Sequence, residues 1–370
     1  MVTQKIPMDN DLKGIAQGLT VRGKGILASD ESTGTIGKRL EKSGLENTEE
    51  VRRAYRENFY TADIGSSISG AILFKETLYQ HSSDDLPFVT CLSDRGVLPG
   101  IKVDQGLVPL PGSNSETSTR GLETLESECR QYRRQGARFT KWRAALKVAD
   151  GLPSEAAIQR NAEELAEYAA IAQACDLMPI VEPEILIDGD YSLQRSAEVS
   201  QRVLQACVAQ LWRRPVDLEA TLLKPMMVMP GADASKRASK EEVSIATLDT
   251  MRRSVPPAIP GIMFLSGGLS EEESTQYLNA INVLAKEQNN NPWALSFSFG
   301  RALQASVLKL WTEEESGRVP AGAAKEMAQA LAAANAAAAK GEFQGPHPSI
   351  TSAAGTLRET FRGWRTDVAS

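Results

Sequence analysis

Histidine is scarce in this chain: its 370 residues contain two, His81 in a polar Ser/Asp stretch and His347 between two prolines. A centre built on several imidazoles cannot be assembled from that supply, so no bound metal is expected; no other cofactor is expected either. Cysteine is sparse too, with Cys91, Cys129, Cys175 and Cys207 scattered and no Cys-x-x-Cys pair. That usage fits free, buried thiols in a reducing cytoplasm and excludes a disulfide framework. No apolar run reaches the roughly 18 residues a membrane span needs, and the first ten residues carry Lys5 and Asp9 but no apolar leader core. A soluble, uncleaved chain with no membrane partner is expected. No run of basic residues interrupts a formal net charge of -6, which argues against nucleic acid as a partner.

Apolar types make up 42% and charged types 24%, ordinary globular values that leave room for one large core. Short apolar or β-branched runs recur at residues 26–30, 71–75, 100–104, 138–143, 179–184, 221–224, 262–266 and 295–299. Helical patterns lie between them. Within Ser154 to Ala174, for instance, Ile158, Ala162, Leu165, Ala169 and Ala172 alternate steps of four and three. Ser270 followed by Glu271, Glu272 and Glu273 is a capping box that starts a helix just after the seventh run. A strand, a loop and a helix fill about 35 to 40 residues, and eight such units close a (β/α)8 TIM barrel. An open, doubly wound sheet is the alternative. After the eighth run come helical stretches near residues 302–311 and 321–340. The barrel domain is expected over 1–340 with this helical extension included, and a mobile, flexible tail over 341–370, where Pro346, Pro348 and several glycines interrupt any repeat.

Strands buried on both faces should read as nearly continuous Val, Ile and Leu, so polar residues inside them are informative. Lys102 and Asp104, Lys141 and Arg143, and Glu182 and Glu184 are pairs two residues apart, which in a strand share one face. If that face is the lumen, the mouth of the barrel gathers Asp30, Lys102, Lys141, Arg143, Glu182, Glu184, Lys224 and Arg301. Any single pair could be a solvated edge or a structural ion pair; recurrence at the same end of several strands points to a site. Lys224 stands alone in Leu222-Leu223-Lys224-Pro225-Met226-Met227, and a desolvated lysine beside another ammonium, such as Lys141, becomes an imine-forming nucleophile.

Two stretches suit phosphate. Leu265-Ser266-Gly267-Gly268 lies between strand and helix and offers backbone amides, with Gly300-Arg301 beyond the next strand to clamp the anion. Ser32-Thr33-Gly34-Thr35, with Lys38 and Arg39, offers hydroxyls and cations after the first strand. Gly23-Lys24-Gly25 precedes a strand, where a dinucleotide fingerprint must follow one, and no Walker A sequence occurs.

From Gly25 to about Trp311 these residues resemble the class I, Schiff-base fructose-1,6-bisphosphate aldolases. The resemblance rests on Gly25-Ile26-Leu27-Ala28-Ser29-Asp30-Glu31-Ser32-Thr33-Gly34, Ile101-Lys102-Val103-Asp104, Lys141-Trp142-Arg143 and Val181-Glu182-Pro183-Glu184. It rests also on Leu222-Leu223-Lys224-Pro225, Phe264-Leu265-Ser266-Gly267-Gly268 and Gly300-Arg301-Ala302-Leu303-Gln304-Ala305-Ser306. It implies reversible cleavage of a phosphorylated ketose, fructose 1,6-bisphosphate, into the triose phosphates dihydroxyacetone phosphate and glyceraldehyde 3-phosphate, in glycolysis, gluconeogenesis or the Calvin cycle. It also implies a homotetramer.

Carried over residue by residue, Lys224 forms the imine, Glu182 handles protons as it forms, and Asp30 takes the C4 hydroxyl proton. Lys141 and Glu184 tune the charge around the imine. Ser266, Gly267, Gly300 and Arg301 hold one phosphate; Ser32, Thr35, Lys102 and Arg143 meet the other end. Thr35 stands where the family often has Ser. Family members often end in a tyrosine near the enamine, whereas the last tyrosine here is Tyr277, so water or Glu182 is expected to protonate it. A different Schiff-base or phosphate-binding barrel enzyme, and a non-catalytic scaffold, are the competing readings.

Overall fold

Each of the eight apolar runs becomes a strand, and the charged residues at the ends of these runs gather at one mouth of the barrel. The computed structural model describes residues 11–352, Asn114 excepted. Its strands are β1 (Gly25–Ser29), β2 (Ile68–Leu73), β3 (Leu98–Lys102), β4 (Leu107–Pro109), β5 (Thr117–Thr119), β6 (Phe139–Leu146), β7 (Met178–Ile185), β8 (Leu222–Leu223), β9 (Gly261–Phe264) and β10 (Ala294–Phe299). All but β4 and β5 pair in parallel and close in the order β1-β2-β3-β6-β7-β8-β9-β10, with β10 returning to β1. Helices cross between them on the outside. This is the (β/α)8 barrel, and closure removes the open-sheet alternative.

The helices form where capping and periodicity place them. Ser154 accepts a hydrogen bond from Ala157 N and starts helix Glu155–Ala174, which buries Ile158, Ala162, Leu165, Ala169 and Ala172. Ser270 and Glu273 form the reciprocal capping box of helix Glu271–Gln288. Beyond β10, helices Ala305–Glu315 and Ala323–Ala338 make the C-terminal extension.

The two-residue period of β6 sorts its side chains. Phe139 and Lys141 go to the lumen, while Trp142 stacks on Tyr168 of the outer helix with ring centroids 5.5 Å apart. Thr140 shares a 2.8 Å hydrogen bond with the same Tyr168 hydroxyl. Removing a buried indole of this kind costs roughly 3 to 5 kcal/mol, so the outer face of β6 firmly holds the inner one. Below the charged row the lumen is filled by Ile26, Ile72, Leu98, Phe139, Met178, Ile180, Leu222 and Met263. Helix Leu12–Leu19 plugs that end by burying Ile15, Ala16 and Leu19 against them. Gly100 makes room for the plug layer: a Cβ there would lie 2.3 Å from the Phe139 ring.

Three features differ from the sequence reading. Strands β6 and β7 run on to Leu146 and Ile185, past Arg143 and Glu184, because their ladder continues unbroken from Phe139↔Met178 to Leu146↔Ile185. The antiparallel hairpin β4–β5 inserts after β3, in a stretch for which the sequence suggested no strand. The third concerns the flexible tail expected from Gly341. Two points in its first ten residues are anchored, although Glu342, Gln344, Gly345, Pro346 and Ile350 are exposed: Phe343 N–H donates to Asn279 Oδ1 at 2.9 Å, and His347 is 2% exposed. The His347 Nε2 lies 3.1 Å from the Thr275 hydroxyl and its Nδ1 2.7 Å from the Ser349 hydroxyl. A side chain with two ring nitrogens satisfied and its apolar face covered gains more from burial than from solvent. Residues 353–370, with the C-terminal sequence Asp367-Val368-Ala369-Ser370, lie outside the described residues.

Burial holds the His347 imidazole down at about 4, below its ordinary 6.5. A lowered histidine favours the neutral form in the packed state, so its contribution is present above the unfolded value and is lost as pH falls through the window between 6.5 and about 4. Amide protection factors across residues 343–350 should therefore fall as pH is taken from neutral towards 4, while β6 and β7 keep theirs. In His347→Gln the same segment should show no such pH dependence; an unchanged protection profile in the unsubstituted protein would contradict the anchoring role.

Candidate active site

The C-terminal ends of the barrel strands surround a cavity of about 700 Å3. The structure brings to its lining all thirteen site residues singled out in the sequence: Asp30, Ser32, Thr35, Lys102, Lys141, Arg143, Glu182, Glu184, Lys224, Ser266, Gly267, Gly300 and Arg301. Strand parity does most of this. Continuing the lumen side of each strand carries Ile26 and Ala28 on to Asp30, Phe139 to Lys141, Ile180 to Glu182, and Leu222 to Lys224. Lys224 N–H still donates to Val181 O at 2.8 Å, which keeps the residue in the ladder although β8 itself ends at Leu223. Pro225 has no N–H to continue it.

At the base of the cavity four charges of alternating sign form a buried row. Lys141 Nζ lies 2.7 Å from Asp30 Oδ2 and 3.0 Å from Glu182 Oε2; Lys224 Nζ lies 3.2 Å from Glu182 Oε1. None of the four residues is more than 9% exposed. The sequence reading put Lys141 beside Lys224 as a second ammonium; the structure inserts the Glu182 carboxylate between them. Lys141 meets Oε2 as a charge only, since no donor is aligned on that oxygen for a hydrogen bond.

The row controls protonation. Burial would raise the Asp30 carboxyl, but Lys141, then Lys224 and Lys102, hold it well below the carboxylate range. Burial would likewise strip the proton from Lys141, yet Asp30, Glu182 and Asp104 raise it above the ordinary lysine value. Asp30 therefore stays ionised and Lys141 stays cationic at any physiological pH.

Around the rim are two groups of anion-binding character. On one side Ser266 and Gly267 follow β9, and Gly300 and Arg301 follow β10. Burial and the neighbouring Arg39 lower the Arg301 guanidinium to about 10, so an incoming anion relieves a real cost there. A Cβ on Gly267 would lie 3.1 Å from Glu184 Oε1, so the backbone runs close beside that carboxylate. Glu184 in turn accepts from Arg143 Nε. On the other side Ser32 caps helix Thr33–Lys42 by accepting from Thr35 N at 3.3 Å, and the two hydroxyls are 3.0 Å apart. Lys102 pairs with Asp104 at 2.7 Å. Lys38 is exposed and stands outside the cavity lining, whereas Arg39 is in it, paired with Glu31 at 2.7 Å.

Other lining residues went unread. Ser298 has a buried hydroxyl with no hydrogen-bond partner. The signal was present, since Ser296 and Ser298 alternate with Phe297 and Phe299 in the same two-residue period that exposed the charged pairs. Glu128 and Tyr132, on an outer helix, and Gln105 to Leu107 leading into the hairpin also reach the cavity, and nothing local in the sequence marks them. Among the described residues no three His, Cys, Asp or Glu side chains gather as a metal ion would need, and no helix is long and apolar enough to cross a membrane.

Known proteins place this geometry. The model of a family described as Glycolytic, Fructose-bisphosphate aldolase class-I, matches residues 11–361. The fructose-bisphosphate aldolase of Schistosoma mansoni is 50% identical over 339 residues, covering 91% of this chain and 92% of that one. Fructose-bisphosphate aldolase C of Carassius auratus is 50% identical over 335 residues, covering 90% and 91%. The solved structure of fructose-bisphosphate aldolase from Plasmodium falciparum, in complex with TRAP and a small molecule inhibitor, superposes with a TM-score of 0.88 at 45% identity, over 93% of this chain and 98% of that one. With a family match over most of its length and relatives at half identity across nine-tenths of it, the chain belongs to the class I fructose-bisphosphate aldolases.

Proposed function

We propose that Lys224 carries the reaction of this family, reversible cleavage of fructose 1,6-bisphosphate to dihydroxyacetone phosphate and glyceraldehyde 3-phosphate, as a covalent imine. The observation that carries the assignment is the position of Lys224 Nζ: buried at the base of the cavity, 3.2 Å from a carboxylate that can move protons, and between two rims suited to phosphate.

The Lys224 ammonium passes a proton to Glu182, 3.2 Å away, the free amine adds to the ketose C2 carbonyl, and loss of the carbinolamine hydroxyl as water leaves an iminium. Glu182, in contact with both amines and with one oxygen lacking an aligned donor, supplies and recovers the protons of that dehydration. The iminium is the electron sink: the C3–C4 bonding pair moves into it to give an enamine, while the C4 hydroxyl proton passes to Asp30 and the aldehyde leaves. Ionised Asp30 is in the right form to accept it. The ion pair that keeps it ionised also weakens it as a base, so the iminium must account for the larger share of the barrier lowering. Protonation of the enamine at C3, by water or through Glu182, and hydrolysis of the imine release dihydroxyacetone phosphate and free Lys224.

Lys141 supplies a permanent positive charge beside Asp30 and Glu182, and Glu184 orients Arg143. Ser266, Gly267, Gly300 and Arg301 hold one phosphate, and Ser32, Thr35, Lys102 and Arg143 the other. The reading takes residues 1–340 as one catalytic unit with 341–370 appended, in a cytoplasmic homotetramer. Free, buried cysteines are consistent with a reducing compartment, and Trp212 and Ile245, exposed on neighbouring outer helices, with a further contact surface.

Incubation with dihydroxyacetone phosphate and borohydride, followed by peptide mass spectrometry, should place the reduced adduct on Lys224. Lys224→Met should fold and take no label; a label on Lys102 or Lys141 would contradict the assignment. Arg301→Ala should raise the KM for the bisphosphate by an amount worth roughly 2 to 4 kcal/mol of binding, as for a lost buried charge contact. Steady-state kinetics with an unchanged KM would move the phosphate elsewhere.

A further inference from the structure

Helix Ala305–Glu315 starts without a cap of its own. Its N-cap residue Gln304 makes no side-chain hydrogen bond to the first turn. The Gln304 amide is committed elsewhere, donating to Ala28 O at 2.6 Å and accepting from the Tyr55 hydroxyl at 3.2 Å. The first amides of a helix have no intrahelical acceptor and carry partial positive charge. Glu271, from the neighbouring helix, meets them: Oε1 accepts from Ser306 N–H at 3.0 Å and Oε2 from the Ser306 hydroxyl, with the Ala305 N–H also bearing on the carboxyl. Glu271 is 3% exposed, and its own helix is already capped by Ser270 and Glu273. The carboxyl therefore serves the next helix rather than its own.

The placement of this contact matters more than its strength. Ser270 and Glu271 end the loop that begins with Ser266 and Gly267 after β9; Ala305 and Ser306 end the loop that begins with Gly300 and Arg301 after β10. Each loop lines the cavity, and Glu271 with Ser306 joins their far ends. We infer that Glu271 is a positioning residue: by capping the following helix across the loop boundary it sets the spacing between the Ser266–Gly267 and Gly300–Arg301 halves of the phosphate cradle. The inference rests on the reading of those four residues as a phosphate site.

A carboxylate close to an anion site would ordinarily repel the anion. Here its charge is spread over a helix N-terminus and a hydroxyl. Burial also pushes the carboxyl up to about 7, so both protonation states are present near neutrality. Each can hold Ser306: the carboxylate accepts both hydrogen bonds, and the acid accepts the N–H while sharing its proton with the hydroxyl.

Two ketones separate positioning of phosphate from support of the whole site. Borohydride trapping is measured with dihydroxyacetone phosphate and with unphosphorylated dihydroxyacetone, in the unsubstituted protein, Glu271→Gln and Ser306→Ala. The half-saturating concentration of dihydroxyacetone phosphate should rise roughly tenfold in Glu271→Gln and roughly threefold in Ser306→Ala, while that of dihydroxyacetone stays within about twofold and maximal trapping is kept. The same factor for both ketones, or no change for either, overturns the inference. If Glu271→Gln does not fold, Ser306→Ala decides on the same criterion. If the unsubstituted protein traps neither ketone, the lysine-imine reading fails and this inference with it.

Discussion

Four charges sit in the lumen directly above its apolar layer, and the architecture of the site depends on their being arranged in alternating sign. Asp30, Lys141, Glu182 and Lys224 sum to zero formal charge, and each touches a charge of opposite sign. Burying any one alone would cost several kcal/mol. Together they are tolerable, and the same proximity that makes them tolerable keeps Asp30 ionised and Lys141 cationic. The rest of the lumen serves this row from below: the aliphatic layer, closed by helix Leu12–Leu19, keeps the charges out of water on that side.

From this row the division of labour in the site follows. In the proposed reaction the base of the cavity would hold the reacting carbon near Lys224, Glu182 and Asp30. The rim would hold the two ends of the substrate through hydroxyls, backbone amides and cations. The first group sits on the barrel strands or directly at their C-terminal ends, as do Lys102 and Arg143 of the second, whereas Ser32, Thr35, Ser266, Gly267, Gly300 and Arg301 follow the strands, so the chemistry is built on the most rigid part of the molecule and much of recognition on the part that varies most easily. The Glu271–Ser306 contact belongs to the second group, as a means of making two loops behave as one.

Much of this was legible in the sequence because a strand converts spacing directly into facing. Lys141 and Arg143, or Glu182 and Glu184, could be placed on one face without any knowledge of their neighbours, and Lys224 stood out against its apolar flanks. What was not legible depends on contacts distant in the chain. The three-residue strands β4 and β5 are too short to show alternation, and their pairing is visible only once folded. The lengths of β6 and β7 follow from each other, not from their own composition. His347 sits among Pro, Ser and Gly and reads as loop, but Thr275 on a helix seventy residues earlier gives it a partner. That Glu182 lies between the two amines is likewise a matter of three-dimensional placement, since spacing fixes a face and not a distance.

The alternating row is tested most directly by a double-mutant cycle on its Asp30–Lys141 pair, read by urea unfolding of the unsubstituted protein, Asp30→Asn, Lys141→Met and the double variant. Removing one member leaves a buried charge uncompensated, so each single change should cost about 3 kcal/mol or more, and the double variant should lose less than the sum by at least about 1 kcal/mol. Strictly additive losses, or single changes costing under about 0.5 kcal/mol, would show that the row is not what holds the base of the site together.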